Sequence, residues 1–436
     1  MKVRSKTDKV KIVTLGCSKN TVDSENLLTQ LQGNDVNAFH ETPETKDENV
    51  VIVNTCGFID LAKQESIDTI LLYADQKNQG NIEKLYVTGC LSERYKNDLE
   101  KEIPEVDAYF GTFDMPDLLA RFNADYKHEL VGERRTSTPF HFAYMKISEG
   151  CNRTCSFCAI PLMRGGHISR PIEELVLEAQ NLARRGVKEL MLIAQELTYY
   201  GLDLYKKRAL GDLLQKLAKV EGIEWIRLHY AYPSKFPRDI FEVMRDTPQV
   251  CNYLDMPLQH ANDAVLNRMR RQITQSEMTD LIGYARDTVP NLALRTTMLV
   301  GYPGETDEEF ADMCSFVEAQ RFDRLGVFQY SHEEDTKAYE EDDDIPAEVK
   351  AERANRLMEI QSEISFEHNQ NRIGQKLKVL IDRKEGGHFI GRTEYDSPEV
   401  DNEVLIDAQV QYLRIGDFAN VEIYDAEEYD LLGRVV

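Results

Sequence analysis

Three times in its first ~125 residues the chain passes from an apolar run to a cysteine beside a glycine, and then into a helical pattern. Val10-Lys11-Ile12-Val13-Thr14-Leu15 ends at Gly16-Cys17 and is followed by Leu27, Leu28 and Leu31 at helical spacing. Val50-Val51-Ile52-Val53 ends at Asn54-Thr55-Cys56-Gly57, before a helix carrying Ile67, Ile70 and Leu71. Leu85-Tyr86-Val87 ends at Thr88-Gly89-Cys90. Apolar runs that do not alternate with polar residues predict strands buried on both faces, hence a parallel sheet covered by helices. A ligand site in such a sheet lies outside the carboxyl ends of its strands, so Cys17, Cys56 and Cys90 are expected on one edge. The alternative is three unrelated buried thiols, since free cysteine is often buried. A cysteine at every strand end argues against it.

A second alternation follows the polar stretch from Gly132 to Pro139. Candidate strands are Ala143 to Ser148, Leu190 to Gln195, Trp225 to Tyr230, Tyr253 to Met256, Leu292 to Leu299 and Leu325 to Tyr330, with helices such as Glu173 to Arg185 and Asp307 to Ala319 between them. Six βα units predict an open or partial barrel with its site at the C-terminal ends of the strands. The acidic segment Glu333 to Glu348 reads as a solvated connector into a helix. Beyond it come short β-like runs, Leu377 to Ile381, Phe389 to Gly391, Val404 to Ile406 and Phe418 to Tyr424, with a turn at Gly386-Gly387. These predict a small antiparallel β-barrel. The expected fold is α/β in three segments: a parallel α/β domain over 8–126, a partial (βα) barrel of six units over 137–368, and the small barrel over 370–436.

Length and composition agree: 436 residues with 42% hydrophobic content call for two or three cores. The net charge of −24 opposes phosphate backbones and suits a basic macromolecular partner, although acidity can also serve solubility alone. The last segment, 370–436, carries 8 Lys and Arg against 14 Asp and Glu, so it is not a general nucleic-acid grip. No run approaches the ~20 apolar residues of a membrane helix. Met1-Lys2-Val3-Arg4 leads into no apolar leader core. A cytoplasmic location without membrane contact is expected. Eight cysteines are sparse for a disulfide framework, and six stand beside Gly, Asn or Thr, which favours metal or catalytic thiols in a reducing compartment.

Directly after the first barrel strand comes Cys151-Asn152-Arg153-Thr154-Cys155-Ser156-Phe157-Cys158. Three thiolates in one loop suit soft metals and iron–sulfur clusters. They leave one metal position open, as catalysis requires; a structural zinc site would close with a fourth ligand, which His167 could supply. Other strand ends carry Gln195-Glu196, Gln259-His260, Arg295 and Gly301-Tyr302-Pro303-Gly304-Glu305, where Gly301 and Gly304 would permit close backbone approach. His260 and Arg295 read equally well as partners of nearby carboxylates. Cys251 and Cys314 read as core residues.

The order C-x-x-x-C-x-aromatic-C resembles the radical S-adenosylmethionine superfamily. With three dispersed N-terminal cysteines and a terminal β-barrel, the chain resembles the methylthiotransferases along nearly its whole length. The passages Leu15-Gly16-Cys17-Ser18-Lys19-Asn20, Val53-Asn54-Thr55-Cys56-Gly57-Phe58-Ile59, Ile147-Ser148-Glu149-Gly150-Cys151, Ala159-Ile160-Pro161, Arg164-Gly165 and Ala194-Gln195-Glu196-Leu197-Thr198-Tyr199-Tyr200-Gly201 are similar to the branch that modifies an aspartate of the twelfth small-subunit ribosomal protein. Ser18, where proline is common, and Glu196, where aspartate is common, depart from that wording. The resemblance implies two four-iron four-sulfur clusters, one on Cys17, Cys56 and Cys90 and one on Cys151, Cys155 and Cys158. It implies S-adenosyl-L-methionine near Phe157, Gln195, Glu196, Arg295, Gly301 and Gly304, with Phe157 beside the adenine unless it only packs the loop. One S-adenosylmethionine would methylate sulfur at the N-terminal cluster, and a second would yield the radical that opens the aspartate β-C–H bond. Implied partners are that basic ribosomal protein or its subunit, an electron donor and a sulfur donor. A tRNA adenosine is the alternative substrate, at odds with the acidic C-terminal segment. Arg295 and the Arg164 loop are candidates to meet the substrate carboxylate.

Overall fold

The computed structural model describes residues 8–41 and 48–436. The stretch Met1 to Arg4, read above for a leader, lies outside them. Among the described residues no helix is long and apolar enough to cross a membrane. The described residues divide into two compact units: 8–41, 48–138, 144–152 and 159–182 form one, and 139–143, 153–158 and 183–436 the other.

In the first unit, Asn37–His40, Lys9–Thr14, Val50–Thr55, Lys84–Gly89 and Ala108–Tyr109 form one parallel sheet in that order. Its strands feed two cores from alternate residues. Val10, Ile12, Val50 and Ile52 pack with Leu27, Leu28 and Leu31 of helix Ser18–Gly33. Val13, Val51, Val53 and Val87 pack with Ile70, Tyr73 and Ala74 of helix Asp60–Asn78. Burial on both faces is why the runs are continuous rather than alternating. The edge strands are invisible as apolar runs, Asn37–His40 because it is half-polar and Ala108–Tyr109 because it is two residues long.

The second unit is built on an open six-stranded sheet ordered Arg324–Gln329, Ala293–Val300, Val250–Asp255, Trp225–Leu228, Glu189–Ile193 and Phe142–Lys146. Of the last strand, Phe142 and Ala143 belong to this unit. The expected strands and the helices Ile172–Arg184 and Asp307–Gln320 are present within a few residues of their expected bounds.

The small barrel, Lys376–Glu385, His388–Arg392, Glu403–Asp407, Asp430–Val435 and Phe418–Ala426, closes on itself around Val379, Ile381, Phe389, Val404, Ile406, Val421 and Ile423. Gly386 and Gly387, both at positive φ (55° and 88°), make its two-residue turn. One seam is parallel, Glu403–Asp407 with Asp430–Val435, and the latter strand is the closing one that the apolar pattern does not reveal. The barrel belongs to the second unit. Glu189 on the large sheet pairs with Arg227 and with Arg392 of the barrel at 2.8 Å each, and Tyr253 donates to Asp401 at 2.8 Å.

The acidic segment Glu333 to Glu348 is exposed over most of its length and leads into helix Ala347–Gln370, as expected of a solvated connector, but its first residues are anchored. Glu333, Thr336 and Ala338 are buried, and the Ala338 N–H donates to the Ser156 carbonyl at 2.8 Å, so the segment braces the cysteine loop. Cys251 is buried in the core as expected, whereas Cys314, on a half-buried face of helix Asp307–Gln320, is only partly covered.

Candidate functional site

In the first unit the three strand-end loops interlock through backbone contacts that only glycine permits. Gly16 (φ +86°) lies so close to Cys56 that an added Cβ would meet its Cβ at 2.6 Å and its Sγ at 2.8 Å. A Cβ on Gly57 would meet the Leu91 backbone nitrogen at 2.8 Å, and one on Gly89 the Thr55 carbonyl at 2.5 Å. Buried Asn20 stitches the loops from the side, its amide donating to the carbonyls of Leu15 (2.8 Å) and Thr55 (3.0 Å). Ser66 takes both backbone groups of Cys56. Cys17 occupies the N-cap of Ser18–Gly33, and Cys90 opens helix Cys90–Glu102, so two of the thiols stand where a helix dipole favours an anion.

The thiols sense one another. Burial pushes the Cys56 thiol up, and the neighbouring Cys17 adds to this. Burial pushes Cys90 up to about 11; Arg164 pulls it back, while Cys17 and Cys56 push further. Arg164, 3% exposed, donates from Nε to the Cys90 sulfur at 3.1 Å and from Nη1 to Asp23 at 2.6 Å, with Nη2 on Asn20. It is therefore committed inside this unit rather than presented to a substrate carboxylate.

The C-x-x-x-C-x-x-C loop is held in two parts. Cys151 and His167 lie in the first unit, where the Cys151 N–H donates to the Gly165 carbonyl (3.1 Å), the His167 N–H to Asn152 (3.0 Å), and the His167 ring meets Ser169 at 3.1 Å. Cys155 and Cys158 lie in the second unit, beside a column of alternating cations and rings. The Arg153 guanidinium sits 4.0 Å from the Tyr199 ring centre and 3.9 Å from that of Tyr232, with Arg271 on Tyr232 at 4.2 Å. Arg271 donates to the Cys155 sulfur at 3.3 Å, and the Tyr232 hydroxyl stands 3.5 Å from it. Phe157 packs against an apolar cluster with Val265, Met269 and Tyr302.

The other expected site residues separate into open and engaged. Glu196, 1% exposed, accepts from Arg153 Nε (3.0 Å) and Nη2 (2.8 Å) through one oxygen, and from the Thr198 N–H and hydroxyl (2.7 Å each) through the other. Arg295 stands between Asp255 (3.2 Å) and Asp401 (3.4 Å). Buried His260 accepts from the Asn262 N–H and faces Glu305 at 3.6 Å. A Cβ on Gly301 would meet Lys350 at 2.4 Å, whereas Gly304 faces open space. Gln195 is half-buried at the end of its strand. Pattern reading missed Arg153, Arg271, Tyr232 and Asn20. Only Arg153, between two of the cysteines, carried a local signal.

All eight cysteines are free. Among the described residues no three His, Cys, Asp or Glu side chains gather closely enough to hold one metal ion. A cubane places each thiolate on a different iron and spaces its ligands more widely. Arginine N–H donors on cysteine sulfur, as at Cys90 and Cys155, suit the ligands of that group.

The chain matches family models over three stretches: the uncharacterized protein family UPF0004 over 9–111, the radical SAM superfamily over 145–317, and the TRAM domain over 373–436. It is 62% identical to the ribosomal protein uS12 methylthiotransferase RimO of Cytophaga hutchinsonii, over 98% of both chains. With the proteins of that name from Christiangramia forsetii and Phocaeicola vulgatus it shares 61% (98% of this chain, 94% of that one) and 51% (99% and 100%). Among solved structures it is similar in fold to the radical S-adenosylmethionine methyltransferase TsrM of Kitasatospora setae, at TM-score 0.54 and 12% identity, covering 88% of this chain and 80% of that one.

Proposed function

We propose that this chain, which belongs to the family of ribosomal protein uS12 methylthiotransferases, is a radical S-adenosylmethionine enzyme that places a methylthio group on the β-carbon of an aspartate in protein uS12. The observation that supports this best, besides the family, is the interlocking of three cysteine-bearing strand ends at one edge of the first sheet. A tRNA adenosine is not favoured as substrate.

We assign one four-iron four-sulfur cluster to Cys17, Cys56 and Cys90 and a second to Cys151, Cys155 and Cys158, the second leaving one iron for S-adenosyl-L-methionine. When bound, these groups supply a transferable methylthio unit and a radical able to take hydrogen from a carbon that no side-chain base could deprotonate. The protein's own residues hold, orient and shield. Glu196 fixes Arg153 against Tyr199 and Tyr232, so the loop's backbone path is set before any ligand arrives. Arg271 compensates thiolate charge at Cys155, as Arg164 does at Cys90. Phe157 and Gly304 are assigned to meet the cofactor, with Gln195 at its strand end beside them, while Glu196, Arg295 and Gly301 serve as supports around it. The acidic surface draws the basic uS12 chain in the cytoplasm; separate proteins deliver electrons and sulfur.

The test is mass spectrometry of the aspartate-bearing uS12 peptide from ribosomes of cells with and without the gene. One methylthio group on that peptide, lost on deletion and restored by the wild-type gene but not by Cys155→Ala, is expected. An unchanged peptide together with loss of methylthio-adenosine from tRNA would overturn the assignment.

A further inference from the structure

Arg164 closes the short helix Ile160–Arg164, ahead of Gly165 at φ +64°. Ala159 and Met163 of that segment pack with Cys90 in a small buried cluster, and the Met163 carbonyl accepts from the Thr112 hydroxyl at 2.8 Å. Every edge of the guanidinium is taken: Nε by the Cys90 sulfur, Nη2 by Asn20, Nη1 by Asp23 with Glu149 at 3.4 Å. Asp23 and Glu149 are in turn both paired with Lys146. Two buried cations and two partly buried carboxylates thus form a mutually compensated quartet. A guanidinium so held cannot swing away, and it stays charged at any working pH.

We propose that Arg164 is a positioning residue that sets the reduction potential of the cluster on Cys17, Cys56 and Cys90, by fixing an N–H donor and a positive charge on the Cys90 sulfur. The inference rests on the cluster assignment made above. Cluster potentials follow net charge, solvent exposure and hydrogen bonds to the sulfurs. A one-electron reduction adds negative charge that spreads onto the thiolates, so a cationic donor favours the reduced form and raises the potential. Charge-assisted bonds of this kind are about twice as strong as neutral ones. Lysine cannot reproduce the arrangement, because its single nitrogen cannot serve Cys90, Asn20 and Asp23 from three edges of a plane.

The experiment uses the full-length chain carrying Cys151→Ala, Cys155→Ala and Cys158→Ala, so that only the first triad can hold iron. This parent, Arg164→Gln and Arg164→Lys are reconstituted without oxygen, assayed for iron, and titrated with dithionite while the electron paramagnetic resonance of the reduced cluster is followed. Arg164→Gln is expected to make the cluster at least tenfold harder to reduce, a downward shift of about 59 mV for one electron, with Arg164→Lys between it and the parent. Midpoints indistinguishable from the parent's overturn the proposal. Should Arg164→Gln fail to hold iron, Arg164→Lys decides: a lowered midpoint supports the proposal, and an unchanged one overturns it. Failure of both variants to hold iron that the parent holds also overturns it, since the residue would then be a packing element. A parent without iron would instead refute the cluster assignment.

Discussion

Replacing Glu196 with glutamine tests whether the cysteine loop is anchored by charge. Glu196 is 1% and Arg153 8% exposed, and the carboxylate accepts four hydrogen bonds, two from Arg153 and two from Thr198. Removing one member of a buried pair costs about 3–5 kcal/mol, because the other charge stays in place uncompensated. Arg153 keeps two ring faces and distant contacts to Thr198 and Ser234 (3.4 Å each), and the glutamine keeps one acceptor oxygen, which puts the expected loss near the lower end, about 3 kcal/mol. On the scaling for domains of 150–250 residues this lowers Tm by about 6–12 °C. The assay is urea and thermal unfolding of the metal-free protein in a double-mutant cycle with Arg153→Met. Each single variant leaves a buried charge behind, whereas the double variant leaves none, so a coupling of at least about 2 kcal/mol is expected. If the two costs add within about 0.5 kcal/mol, as they do for independent sites, the pair does not act as a unit and the anchoring argument fails.

Two further outcomes follow from geometry alone. Gly16→Ala forces a Cβ to 2.6 Å from Cys56 at φ +86° and should lower both Tm and the iron retained by the first triad, as measured by unfolding and metal analysis; unchanged iron would separate the glycine from the site. Burial raises the Cys251 thiol from 9.0 to about 12, so the folded state holds a proton that the unfolded state releases above pH 9; stability should fall from pH 9 towards 12, and Cys251→Ala should flatten that slope in denaturant titrations of the metal-free protein.

The elements legible in the sequence are those whose burial is two-sided. Val50–Thr55 is buried at every position, so its apolar run needs no partner to be recognised. Asp430–Val435 alternates buried and half-buried residues over its first four positions beside an acidic turn, and its parallel pairing with Glu403–Asp407 depends on a partner about 27 residues away, which no local pattern encodes. The same holds at the site. The cysteines announce themselves by spacing, but the cations on their sulfurs do not: Arg164 lies 74 residues from Cys90, and Arg271 lies 116 from Cys155. The anchored start of the segment Glu333 to Glu348 was opaque for the opposite reason. Its acidic composition speaks for solvent, while the backbone of Ala338 is taken up by Ser156.

The distribution of charge between interior and surface bears on what the enzyme can approach. Among the described residues the buried cations, twelve Lys and Arg, outnumber the nine buried Asp and Glu, so the interior holds a positive excess and the surface is more acidic than the total of −24. The buried arginines are spent on carboxylates and thiols: Arg134 on Glu25 and Glu178, Arg227 and Arg392 on Glu189, Arg164 and Arg271 on cysteines. They contribute little to the field outside. That field attracts a chain rich in Lys and Arg and opposes the phosphates that an RNA ligand would bring. A ribosomal protein and a tRNA are therefore not equivalent substrates for this surface even where the chemistry at the clusters is shared.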